Sequence, residues 1–413
     1  MIQYDSFTLD NGLRFLVHHD RSTPIVAMNI LYQVGAKDEH PDKTGFAHLF
    51  EHLMFGGSVN IPRYDEPLQQ AGGENNAFTN SDYTNYYLTV PKQNLETAFW
   101  LESDRMLDLA FSPKSLETQR NVVIEEFRQN YLNQPYGDAW LLLKPLAYKQ
   151  HPYQWNTIGK ETAHIENATL EDVKDFYSKY YNPNNAIVAI AGDVQTGDIK
   201  KLAEKWFGSI KSGPDILRTI PSEPKQTEAR KLEVKRKVSA DSIYLAWHSC
   251  GRTHPDYEAV DLVSDLLGSG QSSVLFKELV LEKALFAELS AFVTGDIDPG
   301  LLVVTGKVTD GIHHAQALDA LTKTLNQFKE RPVSEQSLRK VKNRVITGQV
   351  FGDISVLSKA MKLAYYTYLG DTALINEQTN RYRSVSAGQI KQVADSVINE
   401  SNSNTLIYLK DND

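Results

Sequence analysis

Cysteine is nearly missing from this sequence: Cys250 is the only one in 413 residues. An internal disulfide is therefore excluded, and the usage fits a reducing compartment. Long apolar runs are missing too. Although 41% of the residues are hydrophobic, no stretch approaches the roughly 20 residues that span a bilayer. The first residues, Met1-Ile2-Gln3-Tyr4-Asp5, lack a basic region followed by an apolar one, so no signal peptide is visible. The expected location is the cytoplasm, or the periplasm or an organelle if a leader has been removed. No Lys/Arg stripe is present, and the net charge of -9 argues against nucleic acid as the main partner. Low-complexity tracts are also absent. What remains is a globular composition, 23% charged, in a chain too long for one ordinary core, so two or more domains are expected.

The most informative stretch runs Gly45-Phe46-Ala47-His48-Leu49-Phe50-Glu51-His52-Leu53-Met54-Phe55 and closes with Gly56-Gly57. Its apolar residues, free of Pro and β-branching, predict a buried helix that the glycine pair stops. On a helix His48 and His52 lie four apart, one turn above the other on the same face. Two neutral imidazoles at that spacing can share one zinc ion. Glu51, three residues after His48, leans toward the same side, where it could take a proton from a metal-bound water. The order His-x-x-Glu-His is the reverse of the zincin motif and is the inverzincin signature. A lone histidine on an apolar helix is usually a satisfied core residue. Two histidines and a glutamate on one such helix each need a partner or cost desolvation energy.

Earlier in the chain, residues 6–33 alternate apolar and polar around the turn Asn11-Gly12, which reads as a β-hairpin and a further strand. His18 and His19 have no ligand-spaced neighbour and read as surface residues. After the motif, Ala71–Thr79 and Thr84–Val90 read as two β-rich segments around the turn Asn80-Ser81-Asp82. A strand of this kind beside a metal site could hold an extended peptide by main-chain hydrogen bonds. Residues 93–108 and 114–132 read as helices. Catalytic zinc takes three protein ligands and leaves the fourth position to water, and nothing near His48 and His52 offers the third. Glu125 and Glu126 on the second of these helices are the candidates, and the pattern alone does not choose between them. Residues 131–166 read as a long polar and aromatic connection. A capped helix from Thr169 to about Tyr181, a buried strand at 186–191 and a helix closing near Trp206 follow.

Residues 209–230, with Pro214, Pro221 and Pro224, show no sustained periodicity and read as linker. Beyond them the order of the first half repeats. The segment Tyr257–Gly268 takes the place of the motif helix, and with Gly268 laid on Gly56, Val260, Val263 and Ser264 fall where His48, Glu51 and His52 were. Ser334–Phe351 echoes 112–127, with Gly348 near the place of Glu126. The helix from Ser386 to Ile398 echoes the one at Thr169, and Thr405–Leu409 echoes the strand at 186–191. The expected organisation is an α+β fold of two homologous domains, each a largely antiparallel sheet covered by helices. The expected boundaries are 1–212 for a domain with the zinc site, 213–230 for a linker and 231–413 for a homologous domain lacking zinc ligands.

On these residues the sequence resembles the pitrilysin-type zinc peptidases, the inverzincins, over essentially its whole length. His48-Leu-Phe-Glu51-His52 matches the metal and base motif. Asn76-Ala77-Phe78-Thr79 with Thr84-Asn85-Tyr86-Tyr87 is similar to the family's substrate-pairing edge strand. Arg120-Asn-Val-Val-Ile-Glu-Glu126-Phe is similar to the helix that provides the distal glutamate. The resemblance implies one Zn2+ per chain held by His48, His52 and Glu126, with Glu125 as the fallback, and Glu51 as the general base. It implies a metalloprotease, a zinc-dependent endopeptidase that cleaves peptides or unfolded segments inside a closed chamber of which this chain forms half, like one half of a clamshell.

Two departures stand out. The family's glutamate seven residues before the distal ligand is Gln119 here, which keeps a hydrogen-bonding group but loses a charge. Active members also carry an Arg and, seven residues later, a Tyr in the second half; here those places hold Val280 and Ala287, and no Arg occurs from 253 to 330. The expected assembly is therefore a heterodimer in which a homologous subunit supplies the Arg/Tyr pair, with a homodimer as the other arrangement. The competing functions are a structural or assembly subunit that keeps a peptidase fold, and a module that captures peptides without cutting.

Overall fold

The computed structural model describes residues 1–411. Among the described residues eleven strands form two sheets: β1 (Asp5–Thr8), β2 (Arg14–His19), β3 (Ile25–Tyr32), β4 (Glu74–Thr79), β5 (Thr84–Pro91) and β6 (Ala186–Gly192) in the first, then β7 (Arg230–Arg236), β8 (Ser242–His248), β9 (Phe286–Val293), β10 (Leu301–Val308) and β11 (Ser403–Lys410) in the second. This is the α+β arrangement of two sheet-plus-helix halves expected from the sequence, and the second half repeats the first as read.

The first sheet has the order β1-β2-β6-β3-β5-β4. The hairpin at Asn11-Gly12 pairs β1 with β2, β2 runs parallel to β6, and the other pairings are antiparallel. Every residue of β6 is buried, which explains its unbroken apolar run: a strand packed on both faces shows no alternation. Ala27, Leu31, Ile187, Ala189 and Ala191 face the helix Val356–Tyr368 and form one core with its Ala360, Leu363 and Ala364. β4 pairs with β5 alone and leaves one edge open.

The second sheet has the order β7-β11-β8-β10-β9, with β7 parallel to β11 and the rest antiparallel. Ile243, Leu245, Trp247, Leu302 and Val304 point into a core shared with the helices Tyr257–Gly268, His314–Glu330 and Ala387–Val397. The alternate residues Ala246, Leu301, Val303, Leu406 and Tyr408 pack with the helix Ala139–Ala147.

Chain contacts divide the molecule differently from the continuous boundaries expected above. One unit comprises Met1–Phe127, Trp155–Ile220 and Gln349–Glu377; the other comprises Arg128–Gln154, Pro221–Gly348 and Gln378–Asp413. Each sheet has two apolar faces to cover, and the cover on the second face comes from the other half of the sequence. Helix 139–147 packs on the later sheet and helix 356–368 on the earlier one. Residues 131–166, read as irregular connection, thus contain a helix that Pro145 disguised. Residues 213–229 carry no regular structure, as read, but they are tied down. Arg218 pairs with Asp38 at 2.8 Å, and the Glu223 carboxylate accepts the N–H groups of Lys149, Gln150 and His151. His18 is also buried rather than superficial, its Nδ1 2.6 Å from the Gln3 carbonyl. Among the described residues no helix is long and apolar enough to cross a membrane.

Candidate metal centre

The motif helix spans Phe46–Leu53 and buries Phe46, Ala47, Leu49, Phe50 and Leu53. Phe50 stacks on Phe176 and Tyr181 with ring centroids 4.9 and 5.1 Å away. That apolar anchor turns the opposite stripe, His48, Glu51 and His52, toward β4 and the helix Pro113–Phe127. The helix start is held by a residue the sequence reading passed over. Glu39 is 6% exposed, and its two carboxylate oxygens accept the N–H groups of Gly45 at 2.9 Å and Ala47 at 2.8 Å. It caps donors that the helix leaves unpaired. No spacing rule signals it, because the contact closes over a loop.

His48, His52 and Glu126 come together with one ligand atom each, all within 4.8 Å of one another. Both imidazole Nε2 atoms lie 3.6 Å from Glu126 Oε2. Ligands at zinc bond lengths and tetrahedral angles stand about 3.4 Å apart, so two nitrogens and one carboxylate oxygen fit a zinc ion with little movement. Burial pushes the His48 imidazole down to about 4, against the pull of Glu126. The ring is therefore neutral at pH 7, the form that ligates. The His52 imidazole facing it holds the Glu126 carboxyl below its ordinary range, against the effect of burial. Glu125 is exposed, and Glu126 is the half-buried one of the pair. Of the two candidates, the structure brings Glu126 to the histidines.

Glu51 takes a different environment on the same helix. Burial raises its carboxyl above the ordinary value, while hydrogen bonds from the Thr79 side chain and backbone, and the charge of His52, pull the other way. A carboxylate made more basic by burial is better suited to accept a proton from water. Thr79 ends β4, so the strand suggested to pair with a peptide also holds the candidate base. Asn76 is exposed, and Ala77, Phe78 and Thr79 are half-buried along the same open-edged strand.

In the second half, the corresponding helix Tyr257–Gly268 presents Val260, Val263 and Ser264, all buried in its core. Gly348 is exposed, and a Cβ placed on it would meet no other part of the chain within 4 Å. Val280 packs partly against the core and Ala287 is exposed on β9. Among the described residues, the one group of three or more histidine, cysteine or acidic ligands is that of the first sheet.

Residues 14–154 match the family described as Insulinase (Peptidase family M16), and residues 167–345 match the Peptidase M16 inactive domain. A zinc protease of Helicobacter pylori, PqqE, is 29% identical over 418 residues, covering 99% of this chain and 93% of the relative. An uncharacterised zinc protease of Bacillus subtilis, YmxG, is 24% identical over 405 residues, 97% of each chain. The crystal structure of a protease from Helicobacter pylori superimposes with a TM-score of 0.93 at 29% identity, over 99% of this chain and 100% of that one.

Proposed function

The chain belongs to the pitrilysin-type M16 peptidase family, and we propose that within it the protein is a zinc-dependent endopeptidase of peptides or unfolded segments. The observation that carries this reading is the convergence within 4.8 Å of His48 and His52, on the helix that also bears Glu51, with Glu126 from the helix Pro113–Phe127, beside the open edge of β4. His48, His52 and Glu126 would hold the zinc. When bound, the metal supplies a Lewis acid that polarises the scissile carbonyl and makes water more acidic. Glu51 accepts the water proton and returns it to the leaving amine, and Thr79 holds its carboxylate in place during both transfers. The main-chain groups of Asn76–Thr79 align an extended substrate by adding a strand to the sheet.

The same reading makes the chain the zinc-bearing half of a heterodimer. Val280 and Ala287 stand at the places of the family's Arg/Tyr pair, no arginine occurs from 253 to 330, and a related subunit supplies the pair in a shared chamber. The test is cleavage of a long, quenched, unstructured peptide with and without a chelator. Chelator-sensitive cleavage that needs a second chain supports the whole reading. Full activity of this chain alone refutes the heterodimer. No cleavage by the complex isolated from its host, at one zinc per chain, refutes the enzyme and leaves a capture or assembly role.

A further inference from the structure

The two helices that carry the ligands are distant in the chain and pack directly on each other, and the separation of His48 and His52 from Glu126 is further held by whatever else touches both. One segment does so: 159–168, which contains the short helix Thr162–Glu166. At the motif-helix end, the N–H of Thr44 donates to His164 Nδ1 at 3.1 Å, and the Thr44 hydroxyl lies 2.7 Å from the same nitrogen. The N–H of Lys160 donates to that hydroxyl at 2.9 Å. A backbone N–H can only donate, so His164 Nδ1 accepts, and the ring proton sits on Nε2, 3.1 Å from the Glu161 carboxylate. The backbones themselves touch here. A Cβ on Gly45 (φ +90°) would come within 2.8 Å of the Ile158 carbonyl oxygen, and one on Gly159 (φ +100°) within 3.0 Å of the Thr44 oxygen. Ile165, 1% exposed, fills the remaining space beside Gly45.

At the other end, one guanidinium nitrogen of Arg120 donates to the carbonyls of Glu166 at 3.0 Å and Ala168 at 2.9 Å. Arg120 also pairs with Glu117 on its own helix, which fixes its direction. The segment thus grips the start of the helix bearing His48 and His52, and the middle of the helix bearing Glu126.

We propose that 159–168 is a strap that sets the separation of the two ligand-bearing helices, with His164 and Arg120 as positioning residues for the metal site. The inference rests on the zinc reading above. A site whose donors are held at the right spacing binds metal without first drawing its helices together, and groups that orient ligands from outside are worth about 10–100-fold in affinity.

The experiment titrates Zn2+ into the metal-free full-length protein in competition with a chromophoric chelator, and records the visible absorption of the Co2+ form. His164→Leu removes the acceptor, whereas His164→Asn keeps one near the Nδ1 position. Arg120→Met removes the bridge, whereas Arg120→Lys keeps a cation. His164→Leu and Arg120→Met are each expected to weaken zinc about tenfold and to alter the Co2+ spectrum, with the Asn and Lys variants within about threefold of wild type. Because cutting either end frees the strap, the double variant should lose no more than its weaker parent. Folded Leu and Met variants that bind as wild type, or losses that multiply in the double variant, would overturn the proposal. If His164→Leu does not fold, the Arg120 pair carries the same test. A wild type that takes up no zinc fails the zinc reading; one zinc per chain in wild type and variants alike, at equal affinity, fails the strap alone.

Discussion

Beneath the motif helix lies an ion pair whose removal should be costly in a pH-dependent way. Arg105 and Glu102 are each 1% exposed. The guanidinium meets the carboxylate through two bonds of 2.8 and 2.7 Å, and the Tyr64 hydroxyl donates to the same carboxylate at 2.5 Å. The guanidinium also lies 4.5–5.4 Å from the ring centroids of Tyr86, Tyr64 and Phe55. Tyr86 in turn donates to the Phe50 carbonyl of the motif helix at 3.3 Å. Arg105→Met leaves Glu102 as an uncompensated buried charge, a change of about 3–5 kcal/mol. The escape open to Glu102 is to take a proton, which at pH 7 costs an ordinary glutamate about 3.7 kcal/mol but at pH 5 only about 1 kcal/mol. The defect therefore grows as pH rises. Calorimetry on the full chain should show the melting temperature of this unit falling by about 6–20 °C at pH 7, and by clearly less at pH 5. Glu102→Gln combined with Arg105→Met removes the stranded charge and should recover part of the loss at pH 7. Equal losses at both pH values, or a double variant no more stable than the single, would refute the reasoning.

Three further outcomes are expected. Glu51→Gln should lower peptide cleavage by about 10²-fold or more while zinc content and peptide binding, followed by metal analysis and fluorescence anisotropy, stay at wild-type levels; retained cleavage would remove Glu51 from the base role. Glu126→Gln should weaken zinc in a chelator competition, and Glu125→Gln should leave it unchanged; the reverse pattern would move the third ligand to Glu125. Burial pushes the Glu39 carboxyl up to about 8 from its ordinary 4.5, so the folded state favours its protonated form. That contribution to stability is complete below about pH 4.5 and is lost as pH rises through 8. The melting temperature of wild type relative to Glu39→Gln should fall across this window, and parallel curves would contradict the assignment.

Elements with local signals were legible in the sequence. The motif helix, the buried strand at 186–192, the helix Tyr257–Gly268 and the repeat of the first half by the second follow from periodicity, caps and glycine stops. That His48, Glu51 and His52 share one helix was legible from their spacing, and Glu126, which the structure brings to the two histidines, was one of two adjacent candidates. What stayed hidden was set by contacts across the chain. Which sheet the helices 139–147 and 356–368 cover depends on apolar faces that look alike in sequence. His164 and Arg120 act through backbone atoms remote from them in the chain, and Glu39 across a loop, so no spacing announces them. Thr79 was read as part of a peptide-binding strand; its hold on Glu51 needs the strand and the helix to be adjacent first.

The central claim is that His48, His52 and Glu126 form one zinc site, and anomalous diffraction at the zinc edge tests it most directly. Crystals of the zinc-loaded wild-type protein should show a single peak about 2.0–2.2 Å from both histidine Nε2 atoms and the Glu126 carboxylate. A peak ligated by Glu125, or saturated crystals with no peak among these three residues, would contradict it.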